Sequence, residues 1–157
     1  MANYSINNSL GGTAQNMSSS YKSVCIVYAS SGTQLRRGQI YDLSIGVDGT
    51  PADNALVWDI SRQTAAGTAT AAVPPPLNPA DAAFLGIAAL NATAEGTITA
   101  TTSVFNLAMN QRASYRWVAA PGSELVYPAT NLAGFALRCK SASYASTVTG
   151  QLLVTEL

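Results

Sequence analysis

Apolar and polar residues alternate with a period of two along most of this chain, in short runs that end at turn-forming residues. That pattern predicts β-strands with one buried face. The first run is Tyr21 to Ala29, dense in β-branched and aromatic side chains, which favour strands. In the second, Gln39 to Val47, the residues Tyr41, Leu43, Ile45 and Val47 share one face. Asp48-Gly49 then supplies a hairpin turn. Leu56, Trp58 and Ile60 share a face of Ala55 to Arg62. Between Thr97 and Met109 the phase flips: Ile98, Ala100, Thr102 and Val104 hold one face, and Phe105, Leu107 and Met109 the other. A flip inside one strand predicts a bulge or a bend. Runs at Arg112 to Ala119, Leu125 to Tyr127, Gly134 to Ser141 and Thr147 to Thr155 complete the pattern. In these runs Asp42 and Asp59 fall on the outward phase.

Two segments break the alternation. Pro74-Pro75-Pro76 fixes three φ angles and removes three backbone donors, which predicts an extended connection outside a sheet interior. Asn78-Pro79-Ala80-Asp81 has a capping Asn and a Pro at the first helical position, so one short helix towards Leu90 is expected there, with a strand over Phe84 to Leu90 as the alternative. The prediction is an all-β, antiparallel β-sandwich, of jelly-roll type with about eight strands and at most one short helix. An immunoglobulin-like sandwich ranks second, because the Cys…Trp…Cys framework is missing.

Composition narrows the functions. The chain has 157 residues, with 8 Lys and Arg against 8 Asp and Glu, no His and 2 Cys. That length suits one domain. Only 10% of residues are charged, against roughly 25% in an ordinary soluble domain. Ser, Thr, Asn and Gln number 16, 15, 10 and 6 and replace the missing charge. Without His there is no imidazole base and no His-ligated metal. No P-loop and no Gly-x-Ser-x-Gly elbow occurs. The acids Asp42, Asp48, Asp53 and Asp59 lack the spacing of a calcium loop. We therefore expect no catalytic residue, no metal site and no cofactor, and hence not an enzyme. Balanced charge argues against nucleic acid as a direct partner, and no apolar run approaches a membrane span. Cys25 and Cys139 sit in apolar runs and are expected as buried free thiols, with a disulfide as the alternative.

Residues 1–20 are rich in Asn, Ser and Gly, and no secretory signal is recognisable in them. They read as a flexible or extended N-terminal arm ahead of a single sandwich domain over 21–157. Tyr4, Ile6 and Leu10 are its candidate anchors on a neighbouring subunit. Arginine favours interfaces, which adds Arg36, Arg37, Arg112 and Arg116 as candidate partner contacts, the last two on one strand face beside Trp117.

Residues Asn110 to Ser141 (NQRASYRWVAAPGSELVYPATNLAGFALRCKS), with Asn78-Pro79-Ala80-Asp81 before them, resemble jelly-roll decoration, or cement, proteins of tailed bacteriophages. The resemblance implies a virion structural protein on the capsid outer surface, made in the host cytoplasm. Such a protein would bind the major capsid protein lattice as a homotrimer. It carries no functional residue over to a numbered position. The alternative is a carbohydrate- or receptor-binding module on a tail or appendage, which would need a platform of exposed aromatics such as Tyr4, Tyr21, Tyr127 or Tyr144.

Overall fold

The structure is a computed structural model that describes residues 1–9, 15–30, 32–141 and 147–157. Twelve strands form two antiparallel sheets, and no helix occurs among the described residues. In chain order the strands are β1 (Ala2–Asn7), β2 (Gln15–Asn16), β3 (Lys22–Tyr28), β4 (Gly38–Asp48), β5 (Ala55–Ala65), β6 (Thr68–Ala72), β7 (Ile87–Ala94), β8 (Thr97–Asn110), β9 (Tyr115–Val118), β10 (Leu125–Tyr127), β11 (Gly134–Lys140) and β12 (Thr147–Glu156). The first sheet runs β1-β12-β4-β10, with β2 also on β12 and β9 also on β4. The second runs β6-β7-β3-β11-β5-β8. β10 pairs with β4 at Gly38 to Ile40 and β9 pairs with it at Asp42 to Ile45, so the two behave as one interrupted strand.

Most inward-phase residues meet between the sheets, but β4 shifts register opposite Leu153/Val154, which puts Ile40 in the core where Tyr41 was expected. Ile40, Leu43 and Ile45 face Leu56, Trp58, Ile60, Phe135 and Leu137, all at most 3% exposed. Cys25 and Cys139 lie in this core as free thiols. The phase flip in β8 is present. Its register against β5 shifts near Ser61 and Gln63, Thr101 has φ +60°, and Phe105, Leu107 and Met109 pack on the main core. Ile98, beyond the flip, joins a second apolar cluster with Ile26, Tyr28, Ala89 and Ala136. That cluster lies beside the crossing of the β5–β6 and β7–β8 connections. They pass so closely that a Cβ on Gly67 would strike the Ala94 carbonyl and one on Gly96 the Ala65 carbonyl.

Four expectations are corrected. β1 and β2 add strands where an arm was expected. Residues 2–7 pair along β12, from Ala2 opposite Glu156 to Asn7 opposite Gln151. Tyr4 and Ile6 are each 1% exposed within this chain's own core, so neither is offered to a neighbour. Tyr4 also donates its hydroxyl to the Ala82 carbonyl (2.9 Å) and meets Phe84 edge-on at 5.0 Å. Leu10 and Tyr144 lie outside the described residues.

The helix after Asn78 does not form. The Asn78 side chain accepts from the Ala80 amide (3.1 Å), but the turn stops there. Glu156 accepts from the backbone amides of Leu85 and Gly86, holding the chain extended into β7. A tertiary carboxylate has outcompeted the local helix signal.

Asp42 and Asp59 do point away from the main core, yet they are only 5% and 3% exposed. Arg116 covers the first and Arg138 the second. The run from Arg112 to Ala119 also shortens to Tyr115–Val118, because Asn110 closes a tight turn by accepting from the Arg112 amide through its side chain (2.9 Å).

The triple-proline segment is extended, as expected, and it protects an edge. Ser5 donates to the Pro75 carbonyl (3.1 Å) and Leu77 to the Asn3 carbonyl (2.7 Å), with Pro76 bridging to Tyr4. This lays proline along the outer side of β1, where its missing N–H gives a further strand little to pair with.

Candidate functional site

Two surfaces stand out, and they lie on different parts of the sandwich. The first is an open side where both sheets end. β8 forms the edge of the second sheet over 14 residues (TITATTSVFNLAMN) and, among the described residues, pairs only with β5. Its sequence has no charged residue and no proline. Soluble proteins usually blunt long edges with those residue types, because unpaired N–H and C=O groups attract further strands. β9 lies beside it, with the Phe105 ring 6.2 Å from Tyr115 and 6.5 Å from Trp117. Val104, Tyr115 and Val118 are 40%, 40% and 57% exposed along this side. Val118 lies opposite Asp42 on the outward face of the first sheet and Val104 belongs to the second sheet, so this side offers a free strand edge flanked by separate apolar residues.

The second surface is a groove of about 480 Å³ on the outer face of the first sheet. Alternation places Ser44 and Gly46 of β4 beside Thr149 and Gln151 of β12, and these form its floor. Asn7 of β1 lies to one side, and Gln111, Arg112 and Ser114 of the β8–β9 turn to the other. Gln151 is already engaged, donating to the Ser5 hydroxyl (2.8 Å). Gln111 is 1% exposed and accepts from the Ala52 amide (2.9 Å), but its own NH₂ has no partner. An adjoining hollow holds Arg116, whose Nε donates to Asp42 at 3.1 Å. That bond, followed by the Asp42 charge itself, holds the guanidinium pKa above its ordinary value.

Neither a family model nor a curated protein matches this chain. The site must therefore be judged on its own residues. Of the arginines singled out in sequence, Arg112 and Arg116 come together along this groove. Arg112 pairs with Asp53 at 3.4 Å in solvent. Arg36 and Arg37 do not join them. They lie exposed on the β3–β4 connection, where the Arg37 carbonyl accepts from the Leu157 amide (2.8 Å). Among the described residues, no three His, Cys, Asp or Glu side chains gather as a metal site.

The aromatic platform does not assemble from its candidates. Tyr127 is buried, with its ring over Gly38. Tyr21 lies under Arg138 and Lys140, whose charged groups stand 4.5 and 4.6 Å from its ring centre. Sequence reading missed Gly46, Gln111, Ser114 and Thr149 as groove residues. The outward phase of Gly46 and Ser114 was the available signal, Gln111 is a buried turn residue without one, and only the fold of the β8–β9 turn makes them a cavity.

Proposed function

We propose that this chain is a virion structural protein that decorates and stabilises a tailed-bacteriophage capsid, binding the major capsid protein lattice as a homotrimer. The observation that carries the reading is the open side formed by β8 and β9, uncharged along β8 and partly apolar. A surface of that kind suits a protein partner better than solvent. A three-fold ring is built from heterologous contacts, so this edge would meet a different surface of the next copy or of the lattice.

Strand order supports the jelly-roll part of the reading. With β2 and the β6–β7 hairpin set aside, and β9 and β10 counted as one strand, the chain pairs first with last and so on inwards: β1 with β12, β3 with β11, β4 with β9/β10, β5 with β8. That nesting is how two Greek keys fold over into a jelly roll. A decoration protein acts by linkage, because binding the finished shell and not its free subunits stabilises the shell. Three copies about one axis add avidity.

The test is light scattering of the purified chain and co-sedimentation with emptied phage heads, for wild type and for the double variant V104E/V118E. The expected result is a trimer that pellets with heads, and a variant that folds normally but loses at least one of those contacts. A stable wild-type monomer without affinity for heads overturns the proposal, as does a double variant that assembles and pellets unchanged.

A further inference from the structure

We infer that the groove over β4 and β12 is a binding site for a short neutral glycan, a role separate from any contact made by the β8 edge. Its volume of about 480 Å³ falls within the range of roughly 300–1,000 Å³ found for small-molecule sites. Its hydrogen-bonding capacity is partly unspent. The Gln111 NH₂ has no partner although the residue is buried. The hydroxyls of Ser114 and Thr149 make no hydrogen bond within the described residues. The Gln111 NH₂ is enclosed, so the groups a ligand hydroxyl can meet directly are those of exposed Ser114 and half-buried Thr149.

The charges select for neutrality. Arg112 is matched by Asp53 and Arg116 by Asp42, so the groove and its adjoining hollow carry balanced charge and offer an anion no net attraction. The residues flanking the groove are mixed donors and acceptors, and a sugar hydroxyl is both. An extended peptide would instead need alternating side-chain pockets, whereas the floor here is Ser44, Gly46, Thr149 and Gln151. Gly46 opens the middle of that floor. A Cβ there would be in ordinary contact only, 3.8 Å from the Thr149 hydroxyl and 3.9 Å from Ser114. No aromatic ring lines the groove, so affinity rests on hydrogen bonds exchanged with water, and a dissociation constant on the order of millimolar is expected.

The experiment titrates the ¹⁵N-labelled full chain with neutral trisaccharides: maltotriose, cellotriose, mannotriose and chitotriose. Inorganic phosphate and an uncharged Gly-Ser peptide serve as competing chemistries. A saturable shift of the Gly46, Ser114 and Thr149 amides with at least one trisaccharide is expected. G46F should weaken it about tenfold or more, with unchanged melting and unchanged pelleting with phage heads. Should G46F fold poorly, the pair S114A/T149V is expected to lower affinity several-fold. The proposal is overturned if no trisaccharide shifts these amides up to about 10 mM, if only phosphate or the peptide does, or if the groove variants bind like wild type. V104E/V118E should keep glycan binding, which separates failure of this site from failure of the capsid reading.

Discussion

Replacing Tyr4 by alanine tests whether the N-terminal segment is core or arm. Tyr4 is 1% exposed, contacts Phe84 edge-on, and donates to the Ala82 carbonyl. Removing a large buried aromatic side chain costs about 3–5 kcal/mol. The hydrogen bond adds about 0.5–1.5 kcal/mol, towards the low end because water can reach the exposed Ala82. Small domains are stable by only about 5–15 kcal/mol, so Y4A should remove a large share of the total. Y4F keeps the ring and should lose only the hydrogen-bond part. V73A, at a site 83% exposed, should stay within about 0.5 kcal/mol of wild type.

The assay is urea unfolding followed by tryptophan fluorescence, since Trp58 is fully buried and reports on the core. Protein concentration must be held constant, because self-association raises apparent stability by mass action. A segment that orders only on a neighbour would leave the isolated chain's midpoint unchanged when Tyr4 is cut back. A Y4A midpoint equal to that of V73A would therefore refute the placement of β1 in the sandwich core.

Other consequences concern the buried polar and thiol groups. Burial pushes both the Cys25 and Cys139 thiols up from 9 to about 12. Their contribution to stability is complete below pH 9, where thiols are protonated in both folded and unfolded chains, and is lost as pH rises from 9 through 12. Alkaline unfolding should thus steepen above pH 9, and C25A/C139A should flatten that limb. Ellman's reagent should label neither thiol in the native chain and both in urea; fast native labelling counts against their burial. Arg138 donates to Asp59 at 3.0 Å and to the Ser61 hydroxyl at 2.9 Å. R138M leaves a nearly buried carboxylate uncompensated and should cost about 3–5 kcal/mol. Adding D59N should recover part of that loss, and simple additivity in the double-mutant cycle argues against the pair. G38A places a methyl against the Tyr127 ring; it should destabilise by about 1–3 kcal/mol through overpacking, read from the same urea curves, and a neutral result would mean the ring can move aside.

What sequence disclosed and what it hid divide by the range of the interaction. The β8 flip was readable because a bulge is a local change of phase, visible in Val104-Phe105 themselves. Ala2 to Asn7 carries the same period-two signal at Tyr4 and Ile6, but the strand that completes it is β12, with Tyr4 opposite Val154. No local feature of an Asn- and Ser-rich opening announces such a partner. The outward phase of Asp42 and Asp59 was correct, while their burial came from arginines on β9 and β11, brought over them by pairing. The helix signal at Asn78 lost to Glu156 for the same reason. The groove was the least legible, since β1, β4, β12 and the β8–β9 turn each contribute only a residue or a few.

The contrast between the two sheet edges bears most directly on function. The outer side of β1 is covered by a proline segment from the chain itself, which limits further pairing. β8, more than twice as long, has neither proline nor charge to blunt it. A sequence selected only to stay monomeric would gain from a single lysine at the exposed Val104, at little cost to the fold. On the proposed reading, an edge kept free for a partner accounts for the absence of any such residue across 14 positions, where only the bulge near Thr101 interrupts it. It is also why V104E/V118E is the most economical challenge to the proposed role.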